Sequence, residues 1–598
     1  MSIWSPESDD RKYFSRESIL ESDFQLKKCH AEAEAGAADA QAVLGDCYQY
    51  GWFVKKDYAR AVEWYEKAAA QGNAAAQRSL GWCWKQGKGV GPSEEKAAYW
   101  YTKAAEGGDA DAQHNLGVCY DYGQGVERNQ VKAAELYRKA AEQGHEWSQN
   151  NLGIFYKHGY GGLEKDYKKA VEWFTKSAEQ GFSDAQYSLG SCYYEGQGIA
   201  QDFGKAVEWF RKAAEQGDLL ALNHLGVCYE EGKGVEQDWD RAIAFYTQSA
   251  EKGNRTAQYN LAICYYYGDG VEQDYEEAFA WFQKSAEQNV ADAQYQLGIC
   301  YENGRGVERD EHRAVEWYEK AAKQGDADAE YAMGLCYDQG TGVKQDSTRA
   351  AMWYEKAAGQ GNANAQYEIG CCFSVGKGVA QDVARGQEWF RKAAEQGNAD
   401  AQYETALAYN FGRCVEQDDE EAVKWYQKAA EQGHVEAQYN LACCYKKGKG
   451  IEQDYDAARK WFEKAAAQDY AEAQYNMGFL HKNGEGVDAD SARAAEWYEK
   501  AAIQGHADAQ NNLGVMYKKG DGVERDPVQA VKWYSQAAAQ GHMQAQLNLG
   551  IAYITGVGAE QDDIRAAMWF SYAAVQGSET AQYNLGLCYE TGRGVEQD

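Results

Sequence analysis

The sequence predicts an all-α protein, an α-solenoid of about 15 to 16 helix-turn-helix repeats. The first observation is a phrase built on an Ala-Gln pair, which recurs every 36 residues with a single interval of 37. The second is composition, because the 598 residues include only 3 prolines and many Ala, Glu, Gln and Lys, which favour helix. A uniform period of this length is typical of one elongated array rather than of several globular domains.

The glutamine of the Ala-Gln pair, which we call the reference glutamine, gives the register of each repeat. It lies at Gln41, Gln77, Gln113, Gln149, Gln186, Gln258, Gln294, Gln366, Gln402, Gln438, Gln474, Gln510, Gln546 and Gln582, with Leu222 and Glu330 in two repeats.

This register divides the chain into four parts. Residues 1–21 contain acids and no apolar core, so we expect a mobile segment rather than a secretory signal. Residues 22–36 align with a second helix but are more polar, with Lys28 in the place of a tryptophan, and are expected to form an N-terminal capping helix. Residues 37–580 then form fifteen repeats. Residues 581–598 form the first helix and turn of a sixteenth, which we expect further chain or a partner to cover.

The first helix of a repeat has start and stop signals at both ends. In the repeat that begins at residue 326, Asp326 is placed to cap the helix and Asp328 puts negative charge in its first turn. Gly340 is placed to end the helix, because glycine accepts the left-handed conformation that helix ends often need. Asp346 closes the following turn and is predicted to cap the second helix.

The second helix is predicted to have one apolar stripe and one solvent-exposed side. Ala314, Tyr318 and Ala321 share the stripe, while Glu316 and Lys320 are an i to i+4 pair on the other side. One position of this helix is nearly always tryptophan, and such regularity predicts core packing rather than a sugar-binding ladder. These residues are Trp64, Trp100, Trp173, Trp209, Trp281, Trp317, Trp353, Trp389, Trp425, Trp461, Trp497, Trp533 and Trp569.

Together these motifs resemble the Sel-1-like repeat, a relative of the tetratricopeptide repeat. The shared pattern is Ala-x-x-x-Leu-Gly-x-x-Tyr, then Gly-x-Gly-Val, then Ala-x-x-Trp-Tyr-x-x-Ala-Ala, and it covers about 560 of the 598 residues. The resemblance implies a right-handed superhelix of antiparallel helix pairs, with the first helices along its concave inner wall. It also implies an adaptor or scaffold function.

Eleven of the 15 cysteines share one first-helix position. Secreted cysteine-rich relatives carry a second cysteine in each repeat and join the paired helices by a disulfide, and this chain lacks that second cysteine. We therefore expect buried free thiols and a cytoplasmic location. Thiols on separate repeats lie too far apart to share one metal ion, so no metal site is expected.

The sequence contains no recognisable catalytic constellation. Its 10 histidines form no metalloprotease motif, and its Gly-x-Gly turns lack the preceding strand of a dinucleotide fingerprint. We therefore expect no enzymatic activity and no cofactor. A net charge of -32 argues against nucleic-acid binding, and the absence of a run of 18 apolar residues argues against a membrane span.

The candidate binding residues lie on the first helices of the late repeats, at fixed positions after the reference glutamine. Tyrosine at position one offers a flat contact or packs between repeats, and asparagine at position two either binds the backbone of an extended peptide or holds neighbouring helices. Lysines at positions eight and nine replace the acids common in earlier repeats, which suggests an acidic partner. The predicted residues are Asn440, Asn476, Asn512, Asn548, Tyr439, Tyr475, Lys446, Lys447, Lys482, Lys518 and Lys519.

The function expected from these features is a non-catalytic scaffold that binds proteins or peptides along the concave groove. Two alternatives remain open. One is a glycan- or envelope-associated binding protein, which a signal peptide or paired cysteines would support. The other is a bacterial effector delivered into a host cell, which can lack a classical signal.

Overall fold

The structure is a computed structural model that describes residues 23–597. These residues form 32 helices and no β-strand, which confirms the all-α prediction. The segment expected to be mobile, including Trp4, lies outside the described residues, as does Asp598. The chain divides into two compact units, residues 1–293 with 305–307 and residues 294–304 with 308–598.

In the first unit an initial helix is followed by seven pairs, in which the first helix of each repeat has an even number and the second an odd number. The helices are α1 (Asp23–Glu34), α2 (Ala38–Tyr50), α3 (Tyr58–Ala70), α4 (Ala74–Gln86), α5 (Glu94–Glu106), α6 (Ala110–Tyr122), α7 (Gln130–Glu142), α8 (Glu146–His158), α9 (Tyr167–Glu179), α10 (Ser183–Glu195), α11 (Phe203–Glu215), α12 (Leu219–Glu231), α13 (Trp239–Glu251), α14 (Arg255–Tyr267) and α15 (Tyr275–Glu287).

The second unit continues the same alternation, and α16 begins within the first unit. Its helices are α16 (Ala291–Asn303), α17 (Glu311–Lys323), α18 (Ala327–Gln339), α19 (Ser347–Gly359), α20 (Ala363–Val375), α21 (Val383–Glu395), α22 (Ala399–Phe411), α23 (Asp419–Glu431), α24 (Val435–Lys447), α25 (Tyr455–Ala467), α26 (Ala471–Asn483), α27 (Ser491–Ile503), α28 (Ala507–Lys519), α29 (Pro527–Ala539), α30 (Met543–Thr555), α31 (Asp563–Val575) and α32 (Glu579–Thr591).

The helix ends are formed by the residues that the sequence indicates. The carboxylate of Asp326 accepts the backbone N–H of Ala329 at the start of α18, and Gly340 ends that helix at φ 78°. The carboxylate of Asp346 then caps α19. These contacts satisfy backbone groups that have no partner within a helix, so each short helix starts and stops at a defined residue.

The core of each repeat is centred on the eighth residue of the second helix rather than on the tryptophan before it. The largest side chains that are less than 2% exposed all lie at this position: Tyr65, Tyr101, Tyr137, Tyr246, Tyr318, Tyr354, Tyr426, Tyr534, Phe174, Phe210, Phe282 and Phe462. Each packs beneath the first helix of its repeat, where a small residue leaves room for the ring. A Cβ atom added at Gly514 would lie 2.7 Å from the ring of Tyr534.

Most of the tryptophans are half-buried: they pack against the core, as the sequence predicts, but they do not form its centre. Of the repeated tryptophans, Trp353, Trp425 and Trp533 are buried and the others are half-buried. In ten repeats the lysine three residues later covers the ring, as Lys320 does at 3.5 Å from the Trp317 centroid. This cation–π contact shields the exposed side of an amphipathic ring, which explains why tryptophan suits the position.

The reference glutamines connect three successive helices. The amide nitrogen of Gln438, which is 4% exposed, donates to the carbonyl of Ala430 at 3.1 Å. Its amide oxygen accepts from the Nε2 of Gln468 at 3.0 Å. The same two hydrogen bonds recur along both units, for example at Gln77 and Gln186 for the first and at Gln41 and Gln186 for the second. Each buried amide is therefore satisfied at both ends, as burial requires.

Two repeats depart from the repeated sequence pattern, one in α8 and the other in α22 and the turn that follows it. In α8, Trp147 stacks on Phe182 with centroids 5.2 Å apart, and Phe155 packs against Tyr137. In the turn after α22, Cys414 occupies a left-handed position at φ 59° where most other repeats have glycine and the first has Phe53. The first change is therefore internal packing, and the second is an unfavourable backbone position for a residue with a Cβ atom.

Candidate functional site

The predicted binding residues lie on four first helices of the second unit, α24, α26, α28 and α30. The tyrosines and asparagines follow the buried reference glutamine, and the lysines lie in the last turn of α24, α26 and α28. A lysine at this end is favourable because the helix dipole places partial negative charge there. Repetition every 36 residues thus places similar side chains at the same positions of successive first helices. We call the surface formed by these side chains, one, two, eight and nine residues after each reference glutamine, the first-helix face.

The two predicted tyrosines pack between helices and are half-buried. Tyr439 contacts Phe462 and Tyr470, with centroids 5.8 and 5.3 Å away. Tyr475 stacks on His506 at 4.6 Å. These contacts favour the packing interpretation over a flat surface offered to a ligand.

The asparagines already hydrogen-bond within the protein. The Nδ2 of Asn440 donates to the hydroxyl of Tyr403 at 3.3 Å, and the Nδ2 of Asn548 donates to the Oδ1 of Asn511 at 3.0 Å. Both bonds connect neighbouring first helices. The Oδ1 of Asn512 lies 3.4 Å from the Nδ2 of Asn511. These amides therefore hold the first helices together and retain only part of their capacity for a ligand.

Lys446 and Lys482 also have partners, and these differ. The ammonium of Lys446 lies 4.1 Å from the Phe479 centroid and donates to the Oδ1 of Asn476 at 3.2 Å. Burial lowers the pKa of Lys446, because it disfavours the charged ammonium. The ammonium of Lys482 pairs with the carboxylate of Asp521 and donates to the Ser491 hydroxyl at 3.1 Å.

The other three lysines are available to a ligand. Lys447 and Lys519 are exposed, and Lys518 is half-buried. None of their ammonium groups forms an ion pair or hydrogen bond with another residue in the part of the chain that the structure describes. Lys518 lines a small cavity together with Tyr534 and Asn548. Tyr534 was not predicted as a site residue, because its regular position in the second helix indicates only core packing.

The acids of the earlier repeats are also occupied. The hydroxyl of Tyr318 donates to Glu302 at 2.8 Å, and the hydroxyl of Tyr246 donates to Glu230. The hydroxyl of Tyr194 donates to Glu231 at 2.7 Å, and Lys233 pairs with the same carboxylate. The change from acid to lysine along the array therefore changes internal contacts as well as surface charge.

The cysteines at the shared first-helix position are buried free thiols, as the sequence predicts. Burial raises the pKa of Cys192 to about 11 and that of Cys228 to about 12. Within residues 23–597 no group of three or more His, Cys, Asp or Glu side chains is placed to hold a metal ion. In the same range, no helix has the length and apolar character needed to cross a membrane.

The Sel1 repeat family matches sixteen consecutive segments of the chain. They are residues 38–73, 74–109, 110–145, 148–182, 183–218, 219–254, 256–290, 291–326, 327–362, 363–398, 399–434, 435–470, 471–506, 507–542, 544–578 and 580–598. None of the curated proteins matches the chain.

Solved structures include similar solenoids. The crystal structure of c5321, a protective antigen of uropathogenic Escherichia coli strains displaying an SLR fold, is 37% identical. That match covers 76% of this chain and 96% of the other, with a TM-score of 0.59. A Sel1 repeat protein from Oxalobacter formigenes is 33% identical over 55% of this chain and 92% of its own, with a TM-score of 0.41. The match of the Sel1 repeat to sixteen segments and the 37% identity to c5321 show that the chain belongs to the Sel1-repeat family.

Proposed function

We propose that this protein is a non-catalytic scaffold that binds an acidic protein or peptide through the first-helix face of its late repeats. Sel1-repeat solenoids commonly serve protein–protein interaction and are generally non-catalytic. The observation that carries the proposal is the lysine repeated in the last turn of α24, α26 and α28, at Lys446, Lys482 and Lys518. Two exposed neighbours, Lys447 and Lys519, add to the same surface.

The negative charge of the rest of the chain restricts where an acidic partner can bind. Because the net charge is -32, most of the surface repels an acidic partner at long range, whereas these lysines attract it locally. Such a partner therefore binds in one register rather than anywhere along the repeats. Its affinity falls as salt screens the exposed charges.

We further propose a cytoplasmic location. The support is the set of buried free thiols, which suits a reducing compartment.

Affinity purification with mass spectrometry tests the binding function. The test variant is Lys447→Glu with Lys519→Glu, which reverses two exposed charges on the first-helix face. The matched control is Lys460→Glu with Lys532→Glu, which makes the same charge change at exposed positions of α25 and α29. We expect an acidic partner to be captured by the unmodified chain and by the control but not by the test variant. Equal capture by both variants would contradict the proposal.

A further inference from the structure

Three equivalent lysines differ in what lies opposite them in the next repeat. The residue 39 positions after Lys446 is Glu485, and the residue 39 positions after Lys482 is Asp521. Asp521 forms an ion pair with Lys482, and this contact lowers the pKa of the Asp521 carboxyl. The corresponding residue for Lys518 is Val557. Lys518 therefore has an apolar residue at the place where Lys482 has a carboxylate.

The second partner of Lys482 is also absent at Lys518. The hydroxyl of Ser491 accepts a hydrogen bond from Lys482, and the equivalent residue in the next repeat is Pro527. Proline offers no side-chain acceptor. The two acceptors of Lys482, Asp521 and Ser491, are thus replaced by valine and proline in the repeat of Lys518.

The buried phenol beside Lys518 also lacks the partner that Tyr318 and Tyr65 have, as does Tyr354. The hydroxyl of Tyr318 donates to Glu302 and the hydroxyl of Tyr65 donates to Gln49 at 3.0 Å, and both acceptors are the twelfth residue of a first helix. In the repeat of Tyr534 the twelfth residue is Lys518, which is a donor. The hydroxyl of Tyr534 has no hydrogen-bond partner, although the residue is only 2% exposed.

Lys518 and Tyr534 both line one cavity, and the Tyr534 hydroxyl is a buried donor without an acceptor. The volume of the cavity is about 20 Å³, and its lining includes Lys518, Tyr534, Asn548, Pro527 and Val557. A cavity of this size accommodates one water molecule or one oxygen-bearing end of a small group. A buried donor without an acceptor costs free energy, so the arrangement favours a ligand that brings an acceptor.

We propose that this cavity is a carboxylate-binding subsite in which an acidic group of a bound peptide accepts from the Lys518 ammonium and the Tyr534 hydroxyl. The protein supplies such a carboxylate itself at equivalent places, as Asp521 for a lysine and Glu302 for a tyrosine. At Lys518 and Tyr534 the ligand supplies it instead. Charge-assisted hydrogen bonds favour a carboxylate over a neutral acceptor. This inference rests on the proposed binding of an acidic protein or peptide.

Methyl NMR of the full chain tests the subsite with defined probes. Acetate is titrated against chloride at constant ionic strength, and the methyl signals of Ile551 and Val557 are followed, since both residues line the cavity. Two further probes separate the sources of a carboxylate. Acetyl-Gly-Glu-Gly-amide carries only a side-chain carboxylate, and acetyl-Gly-Gly-Gly carries only a terminal one.

Four variants give the assignment its specificity. Lys518→Met removes the cation, whereas Lys519→Met removes the same charge from the exposed neighbour and is the matched control. Tyr534→Phe removes the phenol hydroxyl, and Phe462 shows that phenylalanine packs at this position. Val557→Asp places an internal carboxylate where the preceding repeat has Asp521. In Lys518→Met and Val557→Asp, binding is followed through the Ile551 methyl signal.

We expect saturable acetate shifts in the unmodified chain and in Lys519→Met. Binding should be lost in Lys518→Met and Val557→Asp, and weakened about ten-fold in Tyr534→Phe, since one hydrogen bond to a charged group is removed. Response to either peptide supports the subsite and identifies the source of the carboxylate. No saturable shift, or unchanged binding in Val557→Asp, would overturn the inference and leave water as the occupant.

The subsite and the proposed function can fail separately. If acetate binds but no acidic partner is captured, the subsite stands and the scaffold function fails. If the partner is captured through Lys447 and Lys519 but acetate does not bind, the function stands and the subsite is wrong.

Discussion

The ammonium of Lys482 at the end of α26 forms an ion pair with the carboxylate of Asp521 in the turn of the next repeat. The two side chains are 32% and 37% exposed, so solvent screens much of their attraction. The ion pair therefore contributes little to the free energy of unfolding. Its main consequence is that the Lys482 ammonium already has a partner. Lys518, at the same position one repeat further on, forms no such ion pair within the described residues.

Asp521→Ala should release Lys482 and create a second site for carboxylates. We expect new acetate-dependent shifts for the methyl groups of Val515 on α28, the equivalent of Ile551, together with a loss of at most about 1 kcal/mol in the free energy of unfolding at neutral pH. Because Lys482 lowers the pKa of Asp521, that contribution is present above the usual aspartate pKa and disappears as the pH falls through the lowered value. A variant whose unfolding in urea differs from the unmodified chain equally at neutral and at strongly acidic pH would contradict this assignment.

His114 should make the first unit sensitive to acid. Its ring is buried against His145 and lies 3.0 Å from the Ser148 hydroxyl, and burial lowers its pKa well below the usual range. The nearby charges of His145 and Lys85 act in the same direction. Below about pH 6.5 the unfolded chain binds a proton that the folded chain does not, so stability should fall by up to about 1.4 kcal/mol per pH unit. Urea unfolding between pH 7.5 and 5 measures this slope.

The control for the His114 prediction is a second histidine in a different setting. His114→Gln should flatten the dependence on pH, whereas His312→Gln, at an exposed position, should leave it unchanged. If both variants keep the slope of the unmodified chain, a group other than His114 is responsible.

Gln402→Ala should destabilise its repeat by about 1–3 kcal/mol, because it leaves buried partners unsatisfied. Gln402 is 4% exposed and donates to the Ala394 carbonyl at 3.2 Å, while it accepts from Gln432 at 2.8 Å. Gln427→Ala removes an exposed amide from the same repeat and should cost far less. Native-state hydrogen exchange at the amides of α22 and α23 measures both effects, and equal losses would show that the buried hydrogen bonds have no special role.

Thiol reactivity should single out Cys414. It is exposed in the turn after α22, whereas Cys192 and Cys228 are buried with pKa values raised to about 11 and about 12. At pH 8 a thiol reagent should label Cys414 first, and Cys414→Ser should remove that rapid phase. The 15 cysteines should all react in concentrated urea. Rapid labelling of Cys192 in the folded protein would show that its helix opens far more readily than the packing indicates.

Most of the fold follows from local signals that every repeat contains. Asp326, Gly340 and Asp346 mark helix ends through contacts with their own sequence neighbours, so their roles can be predicted without the structure. The burial of Tyr318 could be predicted too, because it lies on the apolar stripe of the second helix, and it is 1% exposed. What the sequence could not show is that the adjacent Trp317 stays half-buried. The crossing of the two helices decides that Tyr318 is buried while Lys320 covers Trp317.

The candidate site was predictable only in part, for a related reason. Sequence alone places Lys446, Lys482 and Lys518 at one helix position, since the period is exact there. The ion pair of Lys482 depends on the residue 39 positions further on, and that spacing becomes meaningful only once the turn of the next repeat is seen beside the helix end. The unsatisfied hydroxyl of Tyr534 depends on the same contact between helices.

The hydrogen bonds of the reference glutamines also bear on how such an array changes length in evolution. Each bond joins only neighbouring helices, so removing or duplicating exactly 36 residues, from any starting point, regenerates every bond at the new junction. The one interval of 37 residues has its extra residue in the turn between α8 and α9. The hydrogen bond between Gln180 and Gln149 spans this turn and still measures 2.7 Å. Unequal recombination between repeats can therefore lengthen or shorten the protein in whole repeats.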